Sequence, residues 1–255
     1  MAALHPDFLA TPLAHRAYHD AAAGRPENSI EAVRAAVAAG YGIELDIQPS
    51  ADGVPMVFHD YTLQRLTEKT AKISDLTAEA LALIPLTGGR EGIPTLAKVL
   101  REIRGRVPLL IEIKDQSGAS GPEVGALERA VASDLQGYAG PVAVMSFNPH
   151  SVAAFHAAAP DVSVGLTTAA YAPDDYPELL GAVCDHLRDI RDYDRVGASF
   201  ISHEAADLAR PRVADLKARG AAILCWTIRS PEAEAEARKI AHNITFEGYA
   251  AAHHF

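Results

Sequence analysis

The chain has few of the features that would send a protein to a nucleic acid or a membrane. It has 255 residues, and its 23 basic residues against 33 acidic ones give a formal charge of −10, with no stretch of five or more closely spaced lysines and arginines. Such a surface repels nucleic acid and anionic lipid, so neither is expected as a partner. The opening Met1-Ala2-Ala3-Leu4-His5-Pro6-Asp7-Phe8 has no basic segment followed by an apolar one, so it does not read as a secretory signal. The longest apolar runs, such as 107–111, are far too short to cross a bilayer, and no stable membrane association is expected. Only two cysteines are present, Cys184 and Cys225, too few for a disulfide framework and too far apart for a CxxC metal site. They read as reduced structural thiols of a cytoplasmic protein. No GxGxxG or GxxxxGK[ST] follows any strand-like run, which removes the usual nucleotide-phosphate loops. No sequence signal bears on the oligomeric state.

What the chain does have is alternation. Strand-like runs at 13–15, 42–48, 107–114, 142–146, 162–166, 198–201, 222–227 and 243–246 are separated, for the most part, by amphipathic helical patterns. Asn28 is placed to N-cap the first of these, with Glu31 as its capping-box partner, Ile30, Val33 and Val37 on one face, and Gly40 just past the end. Thr95 caps a second, and Asn148-Pro149 and Ser230-Pro231 open two more. Eight strands in about 250 residues is the size and order of a TIM barrel, although an open doubly wound sheet alternates in a similar way. The whole chain, 1–255, reads as one α/β domain. An insertion of approximately 61–94 follows the second strand and its hairpin, and only nine residues after Phe246 leave a truncated last helix.

Polar residues gather at strand positions where a buried sheet should be apolar. In 42–48, Glu44 and Asp46 fall two apart and share one face, while Ile43, Leu45 and Ile47 share the other. Inside a barrel two such carboxylates repel and lose solvation unless a cation neutralises them; on an exposed edge strand they would simply face water. The run 109–114 repeats the device with Glu112 and Lys114, which alone could be a buried ion pair. Three carboxylates without a thiol form an all-oxygen set suited to Mg²⁺ or Ca²⁺. His15 and Arg16 close the first strand. His59 closes 54–59 after the turn signal Asp52-Gly53, and a two-residue turn without a bulge would set Asp46 opposite His59.

In order along the chain stand His15-Arg16, Pro26-Glu27-Asn28, Glu44-Leu45-Asp46, Asp52-Gly53, His59-Asp60 and Leu63-Gln64-Arg65-Leu66-Thr67. Ile93-Pro94-Thr95-Leu96, Ile111-Glu112-Ile113-Lys114, Ser146-Phe147 and Cys225-Trp226-Thr227 follow. This ordered set resembles the glycerophosphodiester phosphodiesterase family, within the phospholipase C-like phosphodiesterases. The resemblance implies a TIM (β/α)8-type barrel with a small insertion after the His-Asp pair. It implies a divalent cation on Glu44, Asp46 and Glu112, His15 and His59 as the acid/base pair, Arg16 and Lys114 on the phosphate, and Glu27 beside the site. The implied reaction is metal-dependent hydrolysis of a small glycerophosphodiester to glycerol 3-phosphate and an alcohol. His59 is assigned as acid and His15 as base, with water or a glycerol hydroxyl as nucleophile.

Trp226 ends a strand, so it reads either as an apolar wall of the site or as core. His19, His150, His203, His253 and His254 read as solvated or structural. Three positions depart from the family pattern: Ala17 stands where glycine is usual, the connection 17–25 is extended, and Asn243-Ile244-Thr245-Phe246-Glu247 replaces the usual Ile-Ile-Thr-Asp before proline. The extended connection is expected to cross the rim and favour small, water-soluble diesters. A hydrolase of lysophospholipids and a non-catalytic phosphodiester-binding barrel are the competing readings.

Overall fold

A computed structural model describes residues 2–177 and 179–253; His254 lies outside them. The strands are β1 (Leu13–Ala14), β2 (Gly42–Pro49), β3 (Pro55–Val57), β4 (Leu109–Ile113), β5 (Val142–Ser146), β6 (Ser163–Thr168), β7 (Phe200–Glu204), β8 (Ala222–Ile228) and β9 (Asn243–Phe246). Eight of them run parallel, and β1 pairs with both β2 and β9 to close the ring. The architecture is a TIM-type barrel, and the open-sheet alternative is removed by that closure. β3 lies outside the ring, antiparallel to the upper part of β2.

The alternation of side chains builds two cores. Outward residues such as Ile43, Leu45, Ile111 and Ile113 pack under helices that contribute Ile30, Val33, Leu96, Val99 and Ile103. Inward, Leu13, Leu110, Ala143, Met145, Phe200 and Leu224 fill the barrel, and Phe8 from the short helix Asp7–Ala10 joins them. The Asn243 amide, fully buried, donates to the Phe8 and Thr11 carbonyls at 2.8 and 2.6 Å and fixes that N-terminal segment in place. Gly165 leaves the space that the Phe200 ring fills, since a Cβ there would lie 2.4 Å from the ring. Glu44, Asp46 and Glu112 face the interior above this apolar floor.

Two local expectations are corrected. The helix Ile30–Ala39 is capped by Ser29, whose side chain accepts from the Ala32 amide, while Asn28 sits in the left-handed region at φ 57°. Glu31 does not close a capping box; its carboxylate accepts the Arg90 and Glu91 amides and so ties the helix to the insertion. The hairpin is also longer than two residues. Ser50 closes a turn whose register pairs Ile47 with Val57 and Pro49 with Pro55, so Asp46 faces Phe58, with the Phe58 amide 3.0 Å from the Asp46 carbonyl. Thr95, Asn148 and Ser230 cap their helices as expected.

Residues 61–94 carry the short helix Ala78–Ala82 and their own apolar cluster, in which Leu63, Ile73, Leu81, Leu86 and Ile93 pack on Met56 and Phe58 of the hairpin. Among the described residues, none after β9 are helical; Tyr249 instead packs on the core, and the Ala251 carbonyl accepts from the Tyr41 hydroxyl at 2.7 Å. No helix of the described residues is long and apolar enough to cross a membrane. Ser29→Ala is expected to cost about 1 kcal/mol through the lost cap. Urea denaturation checks this, and an unchanged midpoint would refute the assignment of Ser29 as the cap.

Candidate active site

The upper ends of β2 and β4 bring the acidic residues together because Asp46 pairs in register with Glu112, while Glu44 lies one pleat below. One oxygen from each of Glu44, Asp46 and Glu112 lies within 4.8 Å of the others, and all three side chains are buried. The Lys114 ammonium stands over them, 2.6 Å from Glu112 Oε1 and 3.1 Å from Asp46 Oδ1. Arg16 approaches from the first strand, with Nε 3.6 Å from Asp46 Oδ2. The Arg16 backbone amide donates to Glu44 Oε2 at 3.0 Å, and the Asn28 amide donates to Asp46 Oδ2 at 2.9 Å.

These neighbours split the two carboxyls of β2. Burial and the charges of Asp46 and Glu112 push Glu44 well above the usual carboxylate range, against the Arg16 contacts. Burial would raise Asp46 too, but Lys114, His59, Arg16 and the Asn28 bond together hold it far below that range. Burial would likewise lower Lys114, yet Glu112 and Asp46 keep it above its ordinary value. His59 is pushed down by burial and by Lys114 and Arg16, against the opposing pull of Asp46.

Both histidines meet a carboxylate through Nδ1. His15 Nδ1 lies 2.5 Å from Glu247 Oε2, and His59 Nδ1 lies 2.7 Å from Asp60 Oδ1. Glu27 accepts from Arg16 at 2.7 Å and from Arg65 at 2.9 and 2.7 Å, and Arg65 also donates to Asp60. Glu27 thus sits beside the cluster and links the two arginines. His15, Arg16, Glu27, Glu44, Asp46, His59, Glu112, Lys114 and Trp226, the candidate site residues of the sequence, all gather at this end of the barrel. Asn28, Arg65, Asp60 and Glu247 were not singled out as parts of the site. The first three sit inside the recognised motifs; Glu247 stands only in the departing chain end.

Two cavities meet here. The smaller, about 220 Å³, is walled by His15, Arg16, the three carboxylates, His59, Lys114 and Trp226, among others. Trp226 is both wall and anchor: its indole N–H donates to the Ser202 carbonyl at 3.0 Å, and its ring stands edge-on to Phe147 at 5.6 Å. Arg16 Nε, Thr167 Oγ1 and Thr245 Oγ1 are buried in this region without a hydrogen-bond partner among the described residues. A larger cavity of about 570 Å³ adjoins it through His59, Glu112, Lys114 and Phe147, and is walled further by Tyr61, Tyr171, Tyr176 and Leu179.

The extended connection 17–25 does not roof either cavity. Tyr18 packs on Tyr41 and Phe246, Asp20 bridges to Arg25, and among the described residues none of 17–25 walls the two spaces. The rim-crossing expectation is therefore corrected: aromatic packing holds the connection against the flank. Ala17 takes φ 65°, so the departure from glycine leaves the left-handed turn in place.

The Glu44 environment carries a prediction for metal-free protein. Its carboxyl is raised in the folded state, so it destabilises the fold above the unfolded value, and this loss vanishes below it. Glu44→Gln should therefore raise the thermal midpoint in chelator at pH 8 and leave it nearly unchanged at pH 4. An equal effect at both pH values would rule out the charge as its origin.

The Glycerophosphoryl diester phosphodiesterase family model matches residues 15–245. The chain is 38% identical over 112 residues to glycerophosphodiester phosphodiesterase 1 of Bos taurus, covering 40% of this chain and 33% of that protein. It thus spans about a third of the length of the mammalian relatives it matches. Over a longer stretch it is 27% identical to YhdW of Bacillus subtilis (strain 168), across 86% of this chain and 88% of that one. Among solved structures it is similar to an Oleispira antarctica phosphodiesterase in complex with the product sn-glycerol-3-phosphate, with a TM-score of 0.76, 21% identity and 94% and 93% of the two chains covered. A glycerophosphodiester phosphodiesterase from Parabacteroides distasonis gives a TM-score of 0.74 at 23% identity over 92% of each chain. At these identities the structural likeness carries the fold.

Proposed function

The chain belongs to the Glycerophosphoryl diester phosphodiesterase family, and on that premise we propose that it hydrolyses glycerophosphodiesters to glycerol 3-phosphate and an alcohol. The observation that carries this reading is one small cavity walled by a buried carboxylate trio, the cationic side chains of Arg16, Lys114 and Arg229, and two histidines. We read the whole chain as one catalytic unit, with 61–94 as an insertion at the rim. Two buried free thiols and the acidic surface suit a cytoplasmic setting.

Glu44, Asp46 and Glu112 fit a hard divalent cation, Mg²⁺ or Ca²⁺, because all three offer oxygen and lie within one coordination sphere of each other. Such an ion, when bound, supplies positive charge for the phosphoryl oxygens. The protein's own residues do the rest. Arg16, whose Nε has no hydrogen-bond partner among the described residues, and Lys114 hold the phosphate anion. His15 takes the proton of the attacking oxygen, be it water or a glycerol hydroxyl. His59 walls both cavities, so it faces an alcohol leaving into the larger one and gives it a proton. The phosphodiester's negative charge favours the protonated ring that burial disfavours in the free protein. Glu27 fixes Arg16 from behind, and Trp226 walls the carbon side of the substrate.

The test is product analysis with glycerophosphocholine, with and without divalent cation. Chelator should abolish turnover and Mg²⁺, Ca²⁺ or Mn²⁺ restore it; full activity in metal-free buffer would sink the metal role. Asp46→Asn should weaken metal binding strongly while the fold survives. His15→Ala and His59→Ala should each lower turnover by roughly 10²–10⁴, and their combination by much less than the product. If His59 is the acid, His59→Ala spares substrates with a good leaving group; losses that ignore the leaving group would reassign that role to His15.

The larger cavity favours a second reading. Its aromatic wall has room beyond a small alcohol, and the connection 17–25 does not restrict it. A lysophospholipid is the substrate that this space would admit. Comparing kcat/KM for lysophosphatidylcholine and glycerophosphocholine decides: a preference for the lysolipid makes the protein a lysophospholipase D-type hydrolase. Binding of either without turnover leaves a phosphodiester-binding barrel.

A further inference from the structure

Glu247 stands one residue beyond β9, where the family-like pattern breaks off, and it touches His15, whereas His59 meets the adjacent Asp60 of its own motif. The register between β1 and β9 explains the meeting. Ala14 pairs with Phe246, and the His15 amide donates to the Phe246 carbonyl at 2.8 Å, so His15 and Glu247 are the next pair past the strand ends. The Glu247 amide donates to the Ile228 carbonyl at 3.0 Å, which fixes its backbone. Its carboxylate is gripped on the other oxygen by Arg229, with Nε and Nη2 at 2.8 and 2.7 Å from Oε1. The side chains of His15 and Glu247 are only 16% and 19% exposed, so the pair is largely shielded from water.

We propose that Glu247 is a positioning residue for His15: it accepts the Nδ1–H bond, fixes the tautomer that carries the lone pair on Nε2, and holds the ring toward the phosphate site. The proposal rests on the reading of His15 as the proton acceptor. Its logic is that an ionised carboxylate can only accept. The His15 bond, with His19 and Arg229 nearby, holds Glu247 far below the usual carboxylate range against the opposing effect of burial, so the shared proton belongs to His15 Nδ1. A neutral ring protonated there has its free lone pair on Nε2, the nitrogen left to face the cavity. The same arrangement recurs at the second histidine, where Asp60 accepts from His59 Nδ1 and Arg65 grips Asp60. Each histidine is thus backed by a carboxylate that an arginine fixes in turn, one set local in sequence and the other spanning 232 positions.

His19 completes the surroundings. Its Nε2 is buried without a hydrogen-bond partner among the described residues and lies 3.6 Å from Glu247 Oε2, beyond hydrogen-bond reach. The donor atoms of His15, His19 and Glu247 lie within 4.8 Å of one another, a set that could suggest a second metal centre. The 2.5 Å between His15 Nδ1 and Glu247 Oε2 speaks for a hydrogen bond instead. Two ligands of one tetrahedral ion at the usual lengths would stand about 3.3 Å apart.

The decisive measurement is the tautomer of His15 by long-range ¹H–¹⁵N correlation in labelled protein, its signals assigned by their loss in His15→Gln. Wild type should show Nδ1–H. Glu247→Gln should lose that preference and lower kcat by roughly 10²-fold with KM little changed, and Glu247→Asp should recover part of both. Arg229→Ala should give a smaller loss in the same direction, while His19→Ala stays near wild type. An Nε2–H tautomer in the wild type overturns the proposal. So does Glu247→Gln with an unchanged rate, or with a lower rate and an unmoved tautomer, which would mark Glu247 as merely structural. Should Glu247→Gln fail to fold, the wild-type tautomer and Arg229→Ala still decide. Should the wild type hydrolyse no glycerophosphodiester, the activity reading falls by itself and the tautomer judges Glu247 alone.

Discussion

Three carboxylates buried on adjacent barrel strands repel one another, and much of the upper barrel is arranged around that repulsion. Lys114 answers Glu112 and Asp46 from the end of the same strand that carries Glu112. Arg16 and Asn28 answer Asp46 from two different segments. The turn after β1 is shaped by Glu44: Arg16 and Ala17 take φ 51° and 65°, which lets the Arg16 amide reach the Glu44 carboxylate and the Ala17 amide its carbonyl at 2.9 Å. Left-handed backbone costs a non-glycine residue on the order of 1 kcal/mol. A hydrogen bond to a charged group is worth about 1.5–3 kcal/mol, so the bond to Glu44 offsets much of the strain at these two residues. The compensation is nonetheless incomplete, because burial and the charges of Asp46 and Glu112 still hold Glu44 above the usual carboxylate range. That remaining shortfall of positive charge is what supports the proposed divalent cation on these three carboxylates.

The strand-by-strand outline was legible because a barrel wall leaves a plain trace: apolar residues outward on every strand and, at the active end, polar residues inward. Glu44, Asp46 and Glu112 stood out for that reason, and the closed ring excludes the alternative of an exposed edge strand with its carboxylates in water. What escaped were choices between near-equivalent neighbours. Asn28 and Ser29 are both good caps, and only the pull of Asp46 on Asn28 leaves the cap to Ser29. Asp52-Gly53 suits a two-residue turn, but the Ser50 hydroxyl accepts the Val54 amide and makes the loop longer, shifting the register by one. Contacts across the barrel seam, such as Glu247 with His15, leave no local pattern, because the two residues become neighbours only when β9 closes on β1. The path of 17–25 was misjudged for a related reason. Its length and its start directly after His15-Arg16 suggested a lid, whereas Tyr18 finds an aromatic partner in Tyr41, far along the chain.

The shortness of β1 links these features. β2 spans Gly42–Pro49, but β1 pairs only with its first two residues, Gly42 and Ile43. Above that point the β1 side of β2 would be an open edge with unpaired backbone groups, which a buried sheet does not tolerate. β3 takes that place, antiparallel and paired through Ile47, Gln48 and Pro49. Had β1 continued straight, it would have occupied the position of β3, and the hairpin that brings His59 to the cavity could not have paired there. Instead the chain leaves β1 at His15, turns through Arg16 and Ala17 around Glu44, and opens a gap that β3 fills. One histidine enters where β1 stops and the other where β3 ends, on either side of the carboxylates. The early end of a single strand therefore gives the acidic cluster both its backbone donors and its two flanking imidazoles.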